Sequence, residues 1–370
     1  MGIPCGLKNK IKNTHMKYNF YAGPAILPRE VIEEAANAVL DFNGMGFSLL
    51  EISHRTKEFI AVMDEAVALV KELLHINEDH EVLFLSGGAS SQFFMAPMNL
   101  LDESMKAAYV DTGTWASKAI KDGKLYGQVD VIASSKDTNY SYIPKGYAID
   151  PPYRYLHLTS NNTIYGTQYK SFPETSVPIV CDMSSDIFSR EIDINKFDLI
   201  YAGAQKNMGP AGTTLVVVRK SALGKVSRKI PAMLNYENHI EAGSMYNTPP
   251  VFPVYVSMLT LRWIKKNGGV AGIQKMNEAK ADALYNEIER NSLFYTPTAQ
   301  EDRSNMNICF LLHDTGLEKE FLVKCKEAGC IGLEGHRSVG GFRASVYNAM
   351  NMEGIKVLVG VMKDFESVKG

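Results

Sequence analysis

The sequence predicts an α/β protein: a large domain with a mostly parallel central sheet, followed by a smaller α+β C-terminal domain. Three observations carry that expectation. Short apolar runs recur between residues 81 and 219, and most stop at a polar residue or a glycine turn. At 370 residues the chain exceeds one ordinary domain. The pattern then changes after Asn267-Gly268-Gly269, where a strong helical run ends in paired glycines, which marks the domain boundary at 269.

Composition narrows the classes. Hydrophobic residues make up 45% and charged residues 22%, which is ordinary globular usage. A net charge of −2 without a basic block argues against nucleic acid or a membrane surface as partner. No apolar run approaches the roughly 18 residues that a membrane helix needs. The five cysteines, Cys5, Cys181, Cys309, Cys325 and Cys330, are odd in number and lack paired metal spacing, so reduced thiols and a cytoplasmic location are expected, with no metal. Residues 1–15 carry Lys8, Lys10 and Lys12 but no apolar core, and read as a disordered extension or a cloning scar.

In chain order, a helix is expected from about Arg29 to Asp41, with Val31, Ala35, Val39 and Leu40 at helical spacing. Asn43-Gly44-Met45-Gly46 ends it. Arg55 stands just before a second helix, striped by Phe59, Met63, Ala66, Val67, Val70 and Leu74. A cation there opposes the helix dipole, so Arg55 is either an anion ligand or a solvated charge. Glu81–Leu85 is a strand, and Ser86-Gly87-Gly88-Ala89-Ser90-Ser91-Gln92 follows it before the apolar helix opened by Phe93. Strand, glycine turn and helix present free N–H groups to a phosphate, although a close-packed crossover has the same look. Ala108–Asp111 is a strand leading to Trp115, whose ring either stacks on a flat ligand or packs in the core. Residues 134–153 read as a polar surface excursion. Tyr155–Thr159 is a strand, and Ser160 to Gly166 add hydroxyl and amide groups at its end.

The stretch from Val180 to Gly212 organises the rest. One apolar run halts at Asp182, and a second, Phe197–Ala202, ends in Gly203-Ala204-Gln205-Lys206-Asn207-Met208-Gly209. Ligands of open α/β sheets sit at the carboxyl ends of such strands. A lysine and a carboxylate at neighbouring strand tips suit a Schiff base to pyridoxal 5'-phosphate (PLP), with the acid keeping the pyridine nitrogen protonated. A loop lysine and an acidic helix cap is the plainer alternative. Thr213–Arg219 returns as a β-branched strand buried on both faces. Asn247-Thr248-Pro249-Pro250 opens a helix through Val254, Met258, Leu261 and Trp263. Beyond the boundary come a helix near Ile273–Glu289, a strand at Met306–Leu311 and a helix near Glu318–Ala328. Finally, His336, Arg337 and Arg343 fall within eight residues of one another among glycines. Such a group suits a dianion and a carboxylate; a solvated basic turn is the other reading.

These stretches resemble the phosphoserine aminotransferase family within the class V aminotransferases. The resemblance rests on FYAGPAILP at Phe20–Pro28, EISHRTKEF at Glu51–Phe59, YAGAQKNMGPAG at Tyr201–Gly212, NTPP at Asn247–Pro250 and GHRSVGGFRASVYNA at Gly335–Ala349. It runs from Lys17 nearly to the C-terminus. It implies the PLP-dependent transferase fold type I, with residues 16–28 packing on the small domain, 29–269 as the large PLP-binding domain and 270–370 as the small one. It implies that Lys206 bonds to the cofactor, Asp182 pairs with its ring nitrogen, Trp115 stacks on it and Thr163 reaches its phenolic oxygen. Ala89, Ser90 and Gln205 would hold the phosphate, and Asn247 and Thr248 would complete that site across a homodimer. Arg55, His336 and Arg337 would grip the substrate's side-chain anion and Arg343 its α-carboxylate. The implied reaction, in serine biosynthesis, moves an amino group between L-glutamate and 3-phosphohydroxypyruvate; 4-phosphohydroxythreonine is a further candidate substrate. One departure stands out: Ser90 occupies a position where some members carry arginine, which shifts the load onto Arg55, His336 and Arg337. The alternatives are another class V enzyme, of serine–glyoxylate aminotransferase or cysteine desulfurase type, or a non-catalytic protein that binds PLP or a phosphometabolite.

Overall fold

The structure, a computed structural model, describes residues 17–149 and 152–370. The expected extension over residues 1–15, with Cys5, lies outside them. β1 (Tyr18–Asn19) precedes α1 (Arg29–Leu40) and α2 (Lys57–Leu73). β2 (His80–Leu85), α3 (Ala89–Leu100), β3 (Lys106–Asp111), α4 (Thr114–Gly123) and β4 (Gln128–Ser134) then alternate. β5 (Leu156–Thr159) leads into a small hairpin of β6 (Asn161–Asn162) and β7 (Thr167–Gln168). β8 (Ile179–Asp182), β9 (Phe197–Gly203) and β10 (Thr214–Arg219) complete the main sheet, followed by α5 (Tyr236–Glu241), α6 (Val251–Lys266) and α7 (Gly269–Arg290). β11 (Phe294–Tyr295), β12 (Asn307–Leu312), α8 (Glu318–Glu327), β13 (Cys330–Ile331), β14 (Phe342–Ser345) and α9 (Met352–Lys369) end the chain.

The main sheet runs β2-β10-β9-β8-β5-β3-β4. Five of its strands pair parallel, whereas β10 is antiparallel to both β2 and β9. Its uninterrupted apolar run, Leu215 to Val218, is buried on both faces, as the sequence predicts; the run carries no mark of its direction. Register brings the site together. Asp182 lies opposite Thr159 of β5 and Tyr201 of β9, so the chain reaches Lys206 only five residues beyond Asp182's neighbour.

Helices cover the sheet through stripes that the sequence announces. On α2, Phe59, Met63, Ala66 and Val70 are buried, and the Thr56 hydroxyl caps the helix by accepting from the Phe59 N–H at 3.3 Å. Each large side chain so buried contributes about 1.5–3 kcal/mol. On α1 the buried face is Val31, Ala35 and Ala38, whereas Leu40, assigned to the stripe by spacing, is 80% exposed at the last helical residue. α3 begins at Ala89, earlier than the apolar run at Phe93, because Gly88 at φ +72° turns the chain directly into the helix.

A second apolar core gathers Tyr18 and Phe20 with Phe294, Phe310, Phe321, Phe342 and the α9 residues Ile355, Leu358 and Met362. β1 pairs parallel with β13, Tyr18 opposite Cys330, which ties the N-terminal segment to this part of the chain. The excursion after β4 differs from its polar reading. Tyr140 and Ile143 are buried; the Tyr140 hydroxyl bonds Asp111, and the Ile143 N–H donates to Asp302 at 2.9 Å. Cys181, Cys309, Cys325 and Cys330 are buried free thiols. Among the described residues no helix is long and apolar enough to cross a membrane.

Candidate active site

The carboxyl ends of β5, β8 and β9 and the start of α3 enclose a cavity of about 140 Å³. Its walls include Ala89, Ser90, Trp115, Asp182, Gln205 and Lys206, six residues that the sequence singles out. A larger space of about 400 Å³ lies beside Tyr147, Lys170 and Phe172, but no strand-end acid lines it. Chemistry selects the smaller one.

Lys206 is half-buried beyond the end of β9, and its Nζ donates to the Thr163 hydroxyl at 3.0 Å. Burial pushes its pKa down to about 8; Asp182 opposes that shift and the Arg343 cation adds to it. Such an amine is far more nucleophilic near neutrality than an exposed lysine. Asp182 is 5% exposed, and burial raises its pKa while the Ser184 N–H, donating at 2.9 Å, and the Lys206 charge hold it back. A cation placed beside this carboxylate gains a strong partner because water is excluded.

The glycine turn supplies the other end of the cavity. Gly87 and Gly88 adopt φ +106° and +72°, and α3 starts with the amide groups of Ala89 and Ser90 lacking helical partners. Those N–H groups and the helix dipole favour an anion. A Cβ on Gly88 would meet nothing within 4 Å, so Gly88→Ala isolates backbone strain. We expect it to cost about 1–2 kcal/mol, read as a lower urea midpoint; an unchanged midpoint would mean that alanine is tolerated in this turn.

Buried polar atoms without a protein partner include Trp115 Nε1, Thr159 Oγ1 and Arg343 Nε. Trp115 and Thr159 line the cavity, and unpaired buried donors call for a polar occupant. The Trp115 ring at its wall, a carboxylate, an amine and an anion cradle together fit a flat, phosphorylated aromatic aldehyde.

Not every expected residue joins this cavity. Arg343, on β14, reaches it through Thr163: Nη1 donates to the Thr163 carbonyl at 3.5 Å. His336 is half-buried, and burial, Arg343 and Arg337 lower its pKa. His336 Nδ1 lies 2.6 Å from the Ser338 hydroxyl and 3.2 Å from the Ser338 N–H, which leaves Nε2 free for another partner. Arg337 is exposed. Arg55, Asn247 and Thr248 are exposed as well and lie outside the cavity wall; Asn247 instead borders a space beside Gly87 and Ser91.

Two features escape sequence reasoning. Phe93 forms part of the wall one helical turn beyond Ala89 and Ser90, a spacing that could have suggested it. The Ala22–Pro24 strap lies against Lys206: a Cβ on Gly23 would stand 3.5 Å from Lys206 Cγ, and the Ala25 N–H donates to the Gln205 carbonyl at 2.8 Å. No local signal reports a contact across that much chain.

The class-V aminotransferase family matches residues 17–358. The chain belongs to this family. A phosphoserine aminotransferase of Flavobacterium psychrophilum is 61% identical over 352 residues, covering 95% of this chain and 99% of that one. Among solved structures, the phosphoserine aminotransferase of Bacillus circulans subsp. alkalophilus superposes with a TM-score of 0.93 at 46% identity, over 96% of this chain and 99% of that one. The PLP-bound phosphoserine aminotransferase of Trichomonas vaginalis gives 0.89 at 35%, over 94% and 99%. In this class-V aminotransferase Asp182 ends β8, and Lys206 follows three residues after the end of the adjacent parallel strand β9.

Proposed function

We propose that this class-V aminotransferase transfers an amino group between L-glutamate and 3-phosphohydroxypyruvate, giving O-phospho-L-serine and 2-oxoglutarate, with PLP as cofactor. The observation that carries it is Lys206, its amine lowered to about 8, in one cavity with Asp182 and the α3 N-terminus. Lys206 would hold the cofactor's aldehyde carbon, Asp182 its ring nitrogen, Trp115 its face and Thr163 its phenolic oxygen. The N–H groups of Ala89 and Ser90, with Gln205, would hold its phosphate. When bound, PLP supplies an electron sink that acidifies the Cα–H bond of the amino acid.

The protein's own part is positioning and proton transfer. Lys206 Nζ, neutral for part of the time at pH 7, accepts the Cα proton and returns it. Arg343 pairs with the α-carboxylate, and Arg55, His336 and Arg337 take the side-chain anion, carboxylate or phosphate. Arg337→Ala is expected to raise the KM for 3-phosphohydroxypyruvate by about 10- to 100-fold and to leave PLP retention unchanged. Equal loss of both would remove Arg337 from the substrate set.

The exposure of Arg55, Asn247 and Thr248 supports a homodimer in which Asn247 of the partner subunit and Thr248 of the partner subunit complete the phosphate site. We also read residues 29–269 as the large domain and 270–370 as the small one, with 16–28 packed on the latter, and place the enzyme in the cytoplasm. The deciding assay compares glutamate-dependent turnover of 3-phosphohydroxypyruvate with that of unphosphorylated hydroxypyruvate. We expect a kcat/KM preference on the order of 10²-fold or more for the phosphorylated acid. Equal use of the two would favour a serine–glyoxylate type of activity instead.

A further inference from the structure

Lys280 lies on α7, outside the cavity, and is 1% exposed. Its amine, whose pKa burial lowers to about 7, is met by backbone: Nζ donates to the carbonyls of Val346 at 2.9 Å, Tyr347 at 2.8 Å and, more weakly, Asn348 at 3.5 Å. Three consecutive acceptors thus converge on one nitrogen. An apolar side chain here would leave these buried carbonyls unpaired, so the lysine holds the backbone of residues 346–348 in place.

The clamped carbonyls lead towards the amine at the centre of the site from two directions. The Asn348 N–H donates to Asn207 Oδ1 at 3.1 Å, and Asn207 adjoins Lys206 in sequence. The Tyr347 hydroxyl donates to the Ala22 carbonyl at 2.9 Å, and Ala22 opens the strap that lies against Lys206. Upstream, Val346 directly follows β14, the strand that carries Arg343. One turn before Lys280, Asn277 Nδ2 donates to Asn348 Oδ1 at 2.9 Å, so α7 holds the triplet twice.

We propose that Lys280 is a positioning residue for the amino transfer: its Nζ hydrogen bonds fix the carbonyls of residues 346–348 and so the spacing of Arg343 from Lys206. This inference rests on the proposed function, in which Arg343 grips the α-carboxylate while Lys206 moves the neighbouring Cα proton. An error of about 1 Å in such a pair can cost on the order of 10²-fold in rate.

Lys280→Met keeps the length and apolar stem and removes the Nζ donor. We expect kcat with glutamate to fall by about 10- to 100-fold, with KM changing much less. In the full-length chain before PLP is added, the pH midpoint for acetylation of Lys206, read by peptide mass spectrometry, should move upward, because a loosened Arg343 no longer depresses it. A lower melting temperature with an unmoved midpoint and kcat would reduce Lys280 to packing and overturn the proposal. Should Lys280→Met fail to fold, Lys280→Gln keeps a shorter amide donor on the same stem, and the same shift supports the proposal while an unmoved midpoint sinks it. The acetylation comparison needs no turnover. A wild type without aminotransferase activity would therefore count against the proposed function, and a midpoint common to wild type and variant against Lys280.

Discussion

Lys206→Ala is expected to abolish amino transfer, lowering kcat by at least about 10³-fold, because one side chain both anchors the cofactor and moves the proton. The loss should not come from unfolding: Lys206 is half-buried, and its Nζ hydrogen bond is to the Thr163 hydroxyl. The same residue sets a pH dependence. Its pKa is lowered from 10.5 to about 8, so the neutral fraction at pH 7 is roughly 300 times that of an unshifted lysine. A lowered lysine loses its charge as pH rises through its pKa, so acylation of Lys206 in the chain before PLP is added should climb through about pH 8 and then level off. A variant that retains even a tenth of wild-type turnover would remove this lysine from the mechanism.

Asp182→Asn should give the second-largest effect. Asparagine keeps an oxygen to accept from the Ser184 N–H but loses the negative charge that would sustain a protonated ring nitrogen. Loss of one preorganised electrostatic partner of this kind costs about 10²–10³ in kcat, and we expect that range with PLP still bound in stoichiometric amount. The burial that raises the Asp182 pKa is the reason for the size of the effect: water cannot replace the lost charge. A kcat within a few-fold of wild type would show that the ring nitrogen needs no carboxylate here.

The sequence made the arrangement around Asp182 and Lys206 legible because strand-end polar residues break apolar runs, and that interruption is local. Parallel pairing of β8 and β9 then brings the two ends together. The direction of β10 was hidden, since a doubly buried strand shows the same apolar run either way. Tyr140 was misread as surface because its partners, Asp111 and the Tyr165 ring, are supplied by other parts of the fold. Helix α9 has no counterpart in the sequence reading, although Ile355, Leu358, Met362 and Phe365 recur at helical spacing and a periodicity scan would find it. The strap at Ala22 and the clamp by Lys280 are tertiary contacts between distant parts of the chain and leave no local pattern.

Borohydride reduction of the PLP-loaded protein, followed by peptide mapping, tests the central claim most directly. The account predicts a yellow protein whose single phosphopyridoxyl group is carried by the peptide containing Lys206. A colourless protein, or the group fixed on another lysine, would contradict it.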